Sequence, residues 1–125
     1  MDSLLREIEK DFDFLKKDRE VEAILLYGSF ARDEQNIRSD IDICIVAPTL
    51  KNPEEFANLL GRIWRNINAN KYDVRIFEEL PLYIKIDVIR NHKVVFSRKP
   101  SELYFYFYHY RKIWSDQSIN WIDKK

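Results

Sequence analysis

Glycine is scarce in this chain: two residues in 125, beside four prolines, one cysteine and one methionine. Charge of either sign is not in excess, because 21 Lys and Arg meet 21 Asp and Glu. No apolar run approaches the roughly 20 residues that a bilayer-spanning helix needs. Each shortage excludes something. Few glycines together with 14% aromatic residues exclude a disordered or low-complexity chain. A single cysteine, Cys44, permits no intramolecular disulfide and fits a reducing compartment. The charged start from Asp2 to Arg6, with no spanning run after it, leads to the expectation of a soluble cytoplasmic protein with no membrane association. The charge balance argues against nucleic acid as a direct ligand held by a broad basic surface. At this length one domain, residues 1–125, is expected, burying about two-thirds of its unfolded surface.

With glycine so rare, the position of Gly28 carries information. It ends an apolar run, Leu25-Leu26-Tyr27, and begins Gly28-Ser29-Phe30-Ala31-Arg32. After a polar excursion comes Ser39-Asp40-Ile41-Asp42-Ile43-Cys44-Ile45-Val46. The pattern predicts a strand, a tight turn, a short helical turn and a second strand that opens with two carboxylates. Alternation puts Asp40 and Asp42 on one strand face, about 7 Å apart, and Ile41 and Ile43 on the other. At an effective dielectric of ~20 two such charges repel by roughly 2 kcal/mol. Solvent or a divalent cation relieves that repulsion, and carboxylates are ligands that Mg²⁺ prefers. Gly28 permits positive φ and a close backbone approach, while Ser29 offers a hydroxyl and an amide to a phosphate. A phosphate cradle beside a carboxylate pair suits phosphoryl or nucleotidyl transfer.

The rest of the chain reads as a small α/β fold. Leu4, Leu5, Ile8, Phe12 and Leu15 recur at helical spacing over residues 2–18. Strands are expected at Val21–Tyr27, Asp40–Val46, Tyr72–Phe77 and Val94–Phe96. Further helices are expected from Asn52 or Pro53 to about Asn68, with Phe56, Leu59, Leu60, Ile63, Trp64 and Ile67 as the buried stripe, and from Pro81 to about Asn91. Gly61 falls inside the former, where close packing on the sheet would explain it. A terminal helix follows Pro100 and Ser101, and the sheet is expected to be mixed and flanked by helices. Cys44, between two isoleucines, reads as core. His92 and His109 have no metal-ligand spacing, and Asp87, among apolar neighbours, reads as structural.

Asp73 lies on a strand expected beside the first two and supplies a third carboxylate, with a solvated aspartate as the plainer reading. Arg32 is suited to phosphate oxygens through its planar guanidinium, or pairs with Asp33 or Glu34. Ser39 caps the approach to the acidic strand or touches a nucleotide. Arg38 and Lys71 are generic cations near the mouth.

Gly28-Ser29-x-Ala31-Arg32 followed by Ser39-Asp40-x-Asp42 resembles the signature of the minimal nucleotidyltransferases of the DNA polymerase β-like superfamily, over roughly residues 20–100. Asp33 stands where many relatives carry glycine. The resemblance implies a nucleotidyltransferase fold and a metal-dependent transfer of AMP from ATP. Asp40, Asp42 and Asp73 would be the catalytic residues and the ligands of two Mg²⁺ ions, or Mn²⁺, with Asp73 as the base. Gly28, Ser29, Arg32 and Ser39 would bind the nucleotide phosphates. Minimal members are often antitoxins encoded beside a HEPN-domain ribonuclease, so the acceptor implied is a tyrosine of that partner.

Leu103-Tyr104-Phe105-Tyr106-Phe107-Tyr108-His109-Tyr110 is aromatic nearly all round at helical spacing. Such a helix, about residues 100–122, suits a face covered by a partner or by a second copy of the chain. Packing on the chain's own sheet would bury about half of the rings. A different class of function is therefore also implied: a binding module or antitoxin that neutralises its partner by covering it, without catalysis. An enzyme acting on a small hydroxylated molecule ranks after both.

Overall fold

The computed structural model describes residues 2–31 and 40–123, with side chains described as far as Gln117. Its elements run α1 (Asp2–Asp11), a 3₁₀ turn Asp13–Lys17, β1 (Ala23–Tyr27), α2 (Gly28–Ala31), β2 (Ile41–Val46), α3 (Pro53–Trp64), β3 (Tyr72–Ile76), a 3₁₀ turn Phe77–Glu79, α4 (Leu82–Asn91), β4 (Lys93–Ser97) and α5 (Pro100–Asp123).

The sheet order is β3-β2-β1-β4. β1 runs antiparallel to both β2 and β4, whereas β2 and β3 run parallel. The expected mixed sheet is therefore present, flanked by helices on both faces. Alternation along each strand builds two cores. Ile24, Leu26, Ile43, Ile45, Val74 and Ile76 face Ile8 and Phe12 of the N-terminal segment and Phe56, Leu59 and Ile63 of α3. Ala23, Leu25, Cys44 and Val46 face Phe77, Ile86 and Val88, and Leu103 and Phe107 of α5. Cys44 is a core residue.

Two helix ends differ from the sequence pattern. The N-terminal helix ends at Asp11, not at 18, and tightens into a 3₁₀ turn. Phe12 and Leu15, three apart and nearly eclipsed on such a turn, are both buried. α3 stops at Trp64 rather than near Asn68; its start is fixed by a capping box in which Asn52 and Glu55 exchange hydrogen bonds, with Pro53 at the first turn. Gly61 does not owe its place to close packing: a Cβ there would meet only the Arg65 guanidinium at 3.4 Å.

The terminal helix divides its rings. Leu103 and Phe107 are buried, and Tyr106 and Tyr110 are half-buried against the second core. Tyr104, Phe105 and Tyr108 remain exposed, Phe105 at 68%. No helix among the described residues is long and apolar enough to cross a membrane.

Candidate active site

Strand register assembles the site. Tyr27 pairs with Asp42 across β1 and β2, and Asp42 pairs with Asp73 across β2 and β3. Paired residues on adjacent strands project from the same face about 5 Å apart. That face also carries Cys44 beside Arg75, one alternation further along. On this face Cys44 and Val46 pack with Ile86 and Val88 of α4 and Leu103 and Phe107 of α5, while Asp42 and Asp73 are partly exposed.

Gly28 closes the other side. Its φ is 72°, in the left-handed region that glycine adopts without penalty. A Cβ at this position would run into the Asp42 carboxylate, with the carboxyl carbon only 3.0 Å away. The missing side chain is what lets the β1–α2 corner sit directly against Asp42. Ser29 follows at the corner, partly exposed.

Sequence reasoning placed Asp40 with Asp42. Asp40 lies one residue outside the β2 ladder and is exposed. Among the described residues no group of three His, Cys, Asp or Glu side chains is close enough to hold a metal ion. Register brings together Asp42 and Asp73 beside Gly28, and Asp40 lies two residues before Asp42 at the entry to β2. Arg32, Asp33, Arg38 and Ser39 lie outside the described residues. Lys71 is turned away: its ammonium pairs with Glu7 and Asp11 on α1. Asp87 accepts from the Asn91 amide, and His92 caps α4 through the carbonyls of Val88 and Ile89 while packing on Phe107.

Two residues of the site went unremarked in the sequence. Tyr27 is buried at the end of β1, and burial, then the neighbouring Cys44 and Asp42, pushes its phenol well above the usual tyrosine range. It stays a neutral wall beside the acids. Arg75 stands 3.6 Å from Asp73 through Nη2 and Oδ2. Its signal was available, since Arg75 is two residues from Asp73 in a strand and must share its face.

The donor set suits a hard divalent cation. Mg²⁺ takes one or two protein carboxylates and completes its shell with water and substrate phosphate oxygens. Two in-register carboxylates next to a glycine corner supply that partial set.

Residues 9–101 match the family model described as "Polymerase beta, Nucleotidyltransferase". Over 93 residues, 74% of this chain and 69% of the relative, the sequence is 50% identical to the "Putative protein adenylyltransferase MJ1547" of Methanocaldococcus jannaschii. A chain in the solved structure of the tri-AMPylated Shewanella oneidensis HEPN toxin in complex with MNT antitoxin superimposes with a TM-score of 0.63 at 14% identity. That match covers 96% of this chain and 92% of the other. A nucleotidyltransferase structure from Sulfolobus solfataricus gives a TM-score of 0.52 at 21% identity, covering 75% of this chain and 80% of that one. At such identities the likeness is one of fold.

Proposed function

Because the chain belongs to the polymerase beta nucleotidyltransferase family and is a nucleotidyltransferase, we propose that it transfers AMP from ATP to a tyrosine hydroxyl of a HEPN-type toxin and so silences it. The observation that carries this reading is the in-register pair Asp42 and Asp73 beside a corner that only glycine can form.

Each residue then has a task. The Gly28-Ser29 corner holds the β- and γ-phosphates through its backbone amides and the Ser29 hydroxyl, with Arg32 and Ser39 completing the phosphate contacts. Asp42 and Asp73 would hold Mg²⁺, with Asp40 as the third ligand. Bound there, two Mg²⁺ ions would neutralise charge building on the phosphate oxygens. Asp73 takes the proton from the tyrosine hydroxyl, whose oxygen attacks the α-phosphorus. The bond from that phosphorus to the bridging oxygen of the β-phosphate breaks, and pyrophosphate leaves. Tyr27, buried and protonated, offers no second hydroxyl to compete.

The relatives support the acceptor class. One is named a protein adenylyltransferase, and a structural neighbour is an MNT antitoxin complex with an AMPylated HEPN toxin. The exposed Tyr104, Phe105 and Tyr108 give the chain an apolar face suited to docking a protein. The same face favours a second reading, inhibition by contact alone.

The test uses ATP labelled at the α-phosphate, Mg²⁺ and the co-encoded HEPN protein, with Asp42→Asn and Asp73→Asn alongside. Label on the partner that needs metal and disappears in both variants is the expected result. Inhibition of the partner that survives both substitutions with no label transferred would favour contact alone.

A further inference from the structure

We infer that Arg75 is the resident counter-ion of Asp73, a positioning residue that a divalent cation displaces from that carboxylate when the site loads. This rests on the reading of Asp42 and Asp73 given above.

Asp73 and Arg75 are two apart on β3, so both leave the sheet on the face that carries Asp42. The guanidinium approaches one carboxylate oxygen, Oδ2, at 3.6 Å. That is within ion-pair range but far from the paired bonds of about 2.8 Å that a locked Arg–carboxylate fork makes. Both side chains are open to solvent, 59% for Arg75 and 39% for Asp73. Among the described residues neither has another ion-pair or hydrogen-bond partner. Loose, exposed pairs are weak and exchange easily. A tight structural bridge would resist a competing cation, and an uninvolved arginine would extend into water. This one does neither.

Its effect before loading is to offset the repulsion between Asp42 and Asp73, the two acids that register forces side by side. On loading, a divalent ion takes the same carboxylate and the two cations repel. Arg75 then swings clear on the side of Asp42 away from the Gly28 corner, two strands or about 10 Å from it.

The test is Mn²⁺ binding to the full chain without nucleotide, followed by water-proton relaxation, for the natural protein, Arg75→Gln, Arg75→Lys and Asp73→Asn. Removal of the competing charge should tighten Mn²⁺ binding in Arg75→Gln by roughly fivefold, the equilibrium worth of an exposed pair. Arg75→Lys, which keeps the charge, should stay near the natural value, and Asp73→Asn should lose the site. Without metal, Arg75→Gln should melt no higher than Arg75→Lys, because only the lysine keeps the charge that offsets the repulsion of the two acids. Unchanged or weaker Mn²⁺ binding in Arg75→Gln, with Asp73→Asn still deficient, overturns the inference and leaves the proposed function standing. Failure of the natural protein and of Arg75→Gln alike to bind Mn²⁺ overturns the inference, and the labelling assay with ATP then decides the proposed function separately.

Discussion

Gly28 is the residue on which the site closes most tightly. Alanine there meets two obstacles at once, a positive φ and the Asp42 carboxylate. Gly28→Ala should destabilise the fold by roughly 1–3 kcal/mol, as strained non-glycine positions do. It should also lower transfer on the order of 100-fold, because Asp42 must move to make room. A melt and a labelling assay on the same preparation check both; near-normal labelling would show that the corner tolerates displacement. Gly61 is the contrast. Its Cβ position is nearly empty, so Gly61→Ala should raise stability by about 0.5–1 kcal/mol through better helix propensity, read as a higher urea midpoint with the slope unchanged. Both glycines look alike in the sequence. The carboxylate pair was legible there, because alternation in Tyr72–Ile76 fixes the face of Asp73 once that strand lies beside β2. The Arg75 contact was not, since it depends on which rotamer a long side chain takes.

At the scale of the element, a partly buried carboxylate links α5 to the sheet. Glu78 accepts from the Ala47 amide at 2.8 Å and from the Tyr106 hydroxyl at 2.7 Å. Nearby, the Lys85 ammonium donates to the Leu80 carbonyl at 2.7 Å and lies over the Phe77 and Tyr110 rings. Burial raises the Glu78 carboxyl above its ordinary 4.5, against the opposing pull of those hydrogen bonds and of Lys85. With the folded value above the unfolded one, Glu78 contributes stability that is full below pH 4.5 and is lost as pH rises through the folded value. Glu78→Gln removes this dependence. The melting temperature of the natural protein minus that of the variant should therefore fall as pH rises from 4.5, and a constant difference would contradict the assignment. Tyr106→Phe leaves one carboxylate oxygen without its donor, at a cost of roughly 1–3 kcal/mol. A domain of this size should then melt lower by about 4 °C per kcal/mol. Helix positions followed from periodicity, whereas their ends did not. The break after Asp11 lets Phe12 and Leu15 reach one core, a demand made by packing on α3 and β3 that no local pattern contains.

For the molecule as a whole, the sheet order places three chemistry-bearing strand ends side by side. The β1–α2 corner, the start of β2 and the start of β3 meet because β1 and β2 are antiparallel while β2 and β3 are parallel. The strands themselves were readable from their alternation, but the order that brings Asp73 to Asp42 came from the resemblance and the structure. The terminal helix is similarly divided: the spacing of its rings foretold an all-round aromatic surface, and the fold buries the Leu103–Phe107 side while leaving Tyr104, Phe105 and Tyr108 outward. Changing those three to Ser, Lys and Ser should leave the melting temperature within about 2 °C, since exposed positions contribute little to the fold. It should weaken capture of the proposed HEPN-type partner in a co-purification; unchanged capture would move docking to another face. The most direct measurement is the anomalous signal from crystals grown with Mn²⁺ and a non-hydrolysable ATP analogue. The expected result is manganese bonded to Asp42 and Asp73 with the triphosphate running to Gly28 and Ser29. Manganese and nucleotide bound together elsewhere on the chain would contradict the assignment of this sheet end as the active site.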